Sequence, residues 1–310
     1  LTDKAMATGK DIIEKQNEDE QQKLLAAQRQ LYSEEKVSLG LQMTIAIGVA
    51  LIGSFLQSTY PQTAPYVVIA GAVVALADVL WLESQKGKKQ RLAAKIQERF
   101  DCTVLQMDWR ELKTGSKPEP EDILDKSEKI MRNKEQRDSL INWYPAEIED
   151  LPLQPARIIC QRINCMYDSR LREKYILGLK ISLALLTIAA FIIAVVQNQN
   201  FVQSIALIIA PLIPAYVITF REIFAQADAL ELAQLLKDHG NELWDAALLK
   251  TATESQLDTT SRFLQDEIYD SRRRSALIFD WIYNTLRDKN EKTLSASTQQ
   301  FVNDYKSRNG

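Results

Sequence analysis

Long charged stretches alternate along this chain with four runs that hold almost no charge. Val37 to Leu56 passes through twenty residues without one, and Tyr66 to Leu82 follows the short turn QSTYPQTAP with only Asp78 inside it. Tyr175 to Val196 contains only Lys180, and Phe201 to Phe220 contains no charge. At a rise of about 1.5 Å per residue, each run approaches the length that roughly 30 Å of hydrocarbon demands, the second falling slightly short. A bundle of buried helices in a soluble protein is the competing reading, but soluble core helices rarely stay free of charge all round. The pattern predicts a mainly α, polytopic membrane protein with four transmembrane helices in two hairpins and a helical cytoplasmic portion containing one short strand. Its parts are an amphipathic helix at 1–36, a first hairpin at 37–82, a middle segment at 83–174, a second hairpin at 175–220 and a C-terminal helical domain at 221–310.

The flanks give the orientation. The turns at 57–65 and 197–200 hold no Lys or Arg, whereas Lys36, Lys86, Lys88, Lys89, Arg91, Arg170, Arg172, Lys174 and Arg221 crowd the opposite ends. By the positive-inside rule those ends are cytoplasmic, so both termini are expected in the cytoplasm of a cell whose inner membrane holds the chain. Within the bilayer, Gly40, Thr44 and Gly48, and Gly71 with Ala75, offer small faces for helix packing. Asp78 and Lys180 lie a little over one turn inside the cytoplasmic boundary, where they could pair, snorkel separately or line a conduit. Pro211 and Pro214 remove backbone donors from the fourth run and mark a possible hinge.

In the polar portions, Leu24 and Leu31, and Leu25 and Tyr32, stand seven residues apart and predict a buried helical stripe. FDCTVLQMDW predicts the short strand, and Pro120 suits the first turn of the next helix. From Pro155 the pattern is helical into the third membrane run, a rod of about 60 Å to Val196, with Arg157, Gln161, Asn164, Asp168 and Arg172 on one face. Gly240 is expected to cap the helix that starts near Arg221.

Composition narrows the chemistry. The net charge of −3 argues against general affinity for DNA or RNA polymers. Cys102, Cys160 and Cys165 lack metal-ligand spacing, and the lone His239 cannot complete a zinc site, so the thiols are expected to be reduced and no metal or cofactor is predicted. No Gly-rich phosphate loop, nucleophile elbow or HExxH occurs, which argues against an enzyme.

The strings LLAAQRQLYSEEK, KIQERFDCTVLQMDW, LPLQPARIICQRINCMYDSRLREKY and RFLQDEIYDSRRRSALIFDW, in this order around two apolar hairpins, resemble the SMODS-associating four-transmembrane effector family. The resemblance spans nearly the whole chain. It implies a pore-forming effector of cyclic-oligonucleotide antiphage signalling, which disrupts the inner membrane when a partner nucleotidyltransferase makes the messenger. A dormant homo-oligomer in the lipid bilayer is then expected. A constitutive channel or transporter and a non-conducting scaffold are the alternatives. An anionic ligand needs guanidinium donors and aromatic faces. The candidates are Arg157, Arg162, Arg170, Arg172, Arg272, Arg273 and Arg274, with Trp109, Trp143 and Trp281.

Overall fold

A computed structural model describes residues 7–77, 87–196, 200–205 and 209–309. Among them the chain is mainly helical without a sheet, and its β pairing is one isolated bridge between Thr8 and Pro152. The longer helices are α1 (Gly9–Gln16), α2 (Asp19–Thr59), α3 (Ala64–Ala77), α4 (Lys88–Val104), α5 (Pro120–Arg132), α6 (Leu153–Val196), α7 (Ala210–Leu248), α8 (Glu254–Arg274) and α9 (Asp280–Asn309). They form two compact units. The first takes Leu1–Glu34, Gly87–Leu171 and Ala229–Gly310, and the second takes Glu35–Lys86 and Arg172–Asp228.

The first unit is built on one buried stripe from each helix. Leu24, Leu25 and Leu31 of α2 are buried, as their spacing predicts, and Tyr32 packs against them. Ile96, Phe100 and Val104 of α4, Leu264 and Ile268 of α8, Trp244 of α7 and Val302 of α9 complete the same core. Phe100 stacks on Tyr144 with ring centroids 6.2 Å apart and meets Trp143 edge-on at 6.5 Å. Such rings bury large apolar area and favour these two geometries.

Two sequence expectations need correction here. The strand expected at FDCTVLQMDW does not form, because Phe100–Val104 is the last turn of α4. Ile96, Phe100 and Val104 recur every four residues and are all buried, so a helical stripe outweighs the β preference of Thr103 and Val104. The chain then turns through Gln106 at φ 54°. The Arg157 side chain holds that turn, donating from Nε to the Leu105 carbonyl (2.8 Å) and from a terminal nitrogen to the Gln106 carbonyl (3.1 Å). Gly240 does not cap a helix either. α7 continues through it to Leu248 and is closed by Lys250 at φ 52°. A Cβ at Gly240 would lie 3.2 Å from the Arg162 Cβ and 3.5 Å from its Cα, so the glycine serves close approach to α6.

In the second unit, Ala50, Ala190, Leu212 and Ala215 form a small apolar cluster, flanked by Leu186 and Tyr216. The Thr187 hydroxyl donates to the Leu183 carbonyl and lies 3.1 Å from the Tyr216 hydroxyl. Gly53 admits α3, since a Cβ there would stand 2.4 Å from a Val67 methyl. Gly48 and Gly71, expected as contacts, face open space. Among the described residues, α2 and α6 are long and apolar enough to cross a membrane, and the apolar stretch at Pro61–Val74 is shorter. The second and fourth expected spans lie partly outside the described residues, as do Asp78 and Trp81. Pro211 and Pro214 both lie within α7.

Candidate functional site

Charge is concentrated in the interior of the first unit. α4 contributes Glu98 and Asp101, spaced three apart on the face that also carries Ala94, and both carboxylates are 0% exposed. α8 contributes Arg262, Gln265, Asp266 and Arg272 beside Leu264 and Ile268. Buried charges survive only when paired and hydrogen-bonded, and these are. Arg262 donates to Glu98 (2.6 Å) and to Asp266 (2.7 Å), and Asp266 also accepts from Arg110 (2.6 Å). Arg272 donates to Asp101 (2.5 Å), whose other oxygen accepts from the Tyr144 hydroxyl (2.7 Å).

Amides tie these pairs to α6. Gln265 donates to Glu98 (2.8 Å) and Asp101 (3.0 Å). The Gln265 carbonyl oxygen in turn accepts from Gln161 (3.1 Å), which also donates to the Ser261 carbonyl (2.9 Å). Asn164 donates to the Tyr144 hydroxyl at 3.1 Å. Three helices are thereby joined by one polar lattice.

Its ionisation follows from burial. Removal from water and the neighbouring Asp101 push the Glu98 carboxyl above the usual range, against the pull of Arg262. Burial works against the charge on Arg272, yet Asp101 more than offsets it and the guanidinium is held more firmly protonated. Burial raises the Cys102, Cys160 and Cys165 thiols, the last to about 12. All three are free and buried, so none is an activated nucleophile. Among the described residues no group of three or more His, Cys, Asp or Glu is placed to hold a metal ion.

The residues proposed from sequence for an anionic ligand are spread over this framework. Arg157 is buried and bonded to Asp258 (2.6 Å) as well as to the two carbonyls. Arg162 donates to Asn241 and lies over the Phe301 ring at 4.5 Å. Arg272 belongs to the lattice, whereas Arg273 and Arg274 share Asp270 with Lys113. Arg274 keeps 68% of its side chain exposed. Arg170 is half-buried, and Arg172, in the second unit, donates to Gln226 (2.6 Å). Trp109 donates to the Gly115 carbonyl, Trp143 packs on Phe100 and Trp281 is exposed. Lys180 lines a groove of about 520 Å³ with Ile176, Leu183, Phe220 and Phe224. The lattice gathers Arg157 and Arg272 near its ends but leaves Arg162 and Trp281 apart from it. Sequence reasoning missed Glu98, Asp101, Arg262, Gln265 and Asp266. Their visible signal was charge and amide recurring at helical spacing on apolar faces.

Comparison with known proteins matches residues 10–301 to the SMODS-associating 4TM effector domain. A protein of Bacillus cereus (strain VD146), named a "Probable CBASS effector molecule", is 24% identical over 294 residues, covering 91% of this chain and 95% of that relative. No solved structure matches.

Proposed function

Because the chain belongs to the SMODS-associating 4TM effector family, we propose that it is a non-enzymatic antiphage effector that permeabilises the inner membrane when a cyclic oligonucleotide from a partner synthase reaches it. The observation that carries this reading is α6, one 44-residue helix that holds lattice residues such as Gln161 and an apolar span in the same backbone. A continuous helix transmits a displacement at its polar end to its apolar end, because each turn is bonded to the next. The messenger shifts the assembly only by binding the conducting arrangement more tightly than the closed one.

In this reading the chain crosses the membrane four times with both termini cytoplasmic, and copies assemble in the bilayer. Arg157, Arg162 and Arg272 are already bonded within the fold and hold helices in place, and half-buried Arg170 and exposed Trp281 are the better placed to meet the messenger. Pro211 and Pro214 supply the hinge.

The test is dye release from liposomes that contain the full chain, challenged with a panel of cyclic di- and trinucleotides. Release with one messenger and none without it is expected. Release without any trigger points to a constitutive channel, and no release with the whole panel removes the direct-sensor reading.

A further inference from the structure

The chain places two basic runs far apart, Lys88, Lys89 and Arg91 after the first hairpin and Arg272 to Arg274 near the end of α8. The fold brings them together. The Gln90 side-chain amide donates to the Arg272 carbonyl (2.9 Å) and to the Ser275 carbonyl (2.8 Å), so the first turn of α4 is clamped to the end of α8. Gln90 is buried, while Lys88, Lys89, Arg91 and Arg274 around it are exposed.

The sign of this surface is not explained by helix stability. Cations suit the last turn of α8, but those in the first turn of α4 oppose its dipole, and that turn holds no acidic residue. Among the described residues, two carboxylates here each serve more than one cation. Glu34 is shared by Lys89 (2.8 Å) and Lys126 (3.5 Å), and Asp270 is shared by Lys113, Arg273 and Arg274. The surface also begins six residues after the apolar run that ends at Leu82. Basic clusters next to a membrane span meet the anionic headgroups of the leaflet there.

We infer that Lys88, Lys89, Arg91 and Arg274 form one binding surface for anionic phospholipid headgroups, assembled by Gln90 from two distant parts of the chain. α4 and α8 are also the helices joined by Glu98–Arg262 and Asp101–Arg272, so the two runs are held in register. The inference rests on 66–82 being a membrane span, not on a messenger.

The experiment uses the full chain in neutral detergent micelles carrying fluorescent phosphatidylglycerol or phosphatidylcholine. Wild-type protein is expected to prefer phosphatidylglycerol, with a preference that weakens as salt shortens the screening length below about 8 Å. Replacing Lys88, Arg91 and Arg274 together by Gln should weaken phosphatidylglycerol binding on the order of 100-fold, about fivefold per cation, and leave phosphatidylcholine unchanged. Gln90→Leu alters no charge yet separates the runs, and should weaken binding severalfold. Restoring Arg91 as Lys in the triple variant should recover one cation's share. A triple variant that keeps the preference overturns the inference. So does displacement of the lipid by equimolar inorganic phosphate or cyclic dinucleotide, which would assign the surface to a soluble phosphate.

Discussion

Arg262→Met is the sharpest perturbation of the buried lattice. The substitution keeps an apolar stem of similar length and removes the guanidinium that serves Glu98 at 2.6 Å and Asp266 at 2.7 Å. Removing one partner of a buried pair usually costs about 3–5 kcal/mol, because the other charge stays desolvated. Here both carboxylates keep a donor, Glu98 from Gln265 and Asp266 from Arg110, so the lower end, about 3 kcal/mol, is expected. For a unit of this size that lowers the melting temperature by about 6–12 °C.

The pH dependence has a definite sign. Glu98 has a folded pKa raised by burial and by Asp101, so the native state binds its proton more tightly than the unfolded chain does. Stability from this group is therefore fully present below the unfolded carboxylate value, about 4.3, and is lost as pH rises through the folded value. Without Arg262 the folded value climbs further. The defect of Arg262→Met should shrink as pH falls from about 8 towards about 5. Thermal melts of the full chain in detergent, followed by circular dichroism, measure both effects. Glu98→Gln in the same background should recover about 1 kcal/mol or more, because it deletes the stranded charge. A cost below about 1 kcal/mol, or a defect flat in pH, would refute the claim that the lattice is buried and coupled.

Gly9→Ala should destabilise the first unit by about 1–3 kcal/mol, since its Cβ would fall 1.9 Å from the Ile148 carbonyl oxygen; a melt unchanged from wild type contradicts that packing. Gly240→Leu should cost a similar amount by forcing α7 from α6, while Gly240→Ala should come near neutral because better helix propensity offsets a tighter contact at 3.2 Å. A cysteine at Gln62 should be labelled from the periplasm and one at Ser116 should not; labelling of Ser116 from outside sinks the topology. Exchanging Asp78 and Lys180 should partly restore expression lost in either single charge removal, and purely additive losses mean that the two do not pair.

What the sequence disclosed follows the strength of its periodic signals. The stripe of Leu24, Leu25 and Leu31 and the long helix through Val196 were legible, because apolar residues at fixed helical offsets have few alternative explanations. The strand expected at FDCTVLQMDW failed for a related reason. Its β-branched residues advertise local preference, whereas Ile96, Phe100 and Val104 had to be traced across two turns to reveal the stripe that wins. Gly240 misled because glycine after a periodic run usually marks an end, and only the approach of Arg162 shows that it marks a contact.

The lattice was hidden by a different ambiguity. Charge at helical spacing ordinarily signals a solvated face, so nothing in the pattern singled out Arg262 or Asp266, while Arg272 and the arginines of α6 were expected as ligand donors for an anion. Burial reverses the meaning of the same residues. A guanidinium held by Asp258 and two backbone carbonyls, as at Arg157, is already committed to the fold, and an incoming phosphate must outbid all three. Binding there would therefore release the turn at Gln106 and the end of α4, whereas binding at an exposed side chain such as Arg274 leaves the lattice intact. The choice between these two outcomes separates a ligand that reorganises the first unit from one that merely rests on it. Hydrogen exchange at the Leu105 and Met107 amides, which donate to the Asp101 and Cys102 carbonyls, with and without a bound cyclic oligonucleotide reads that choice, because release of the turn by Arg157 should lower their protection.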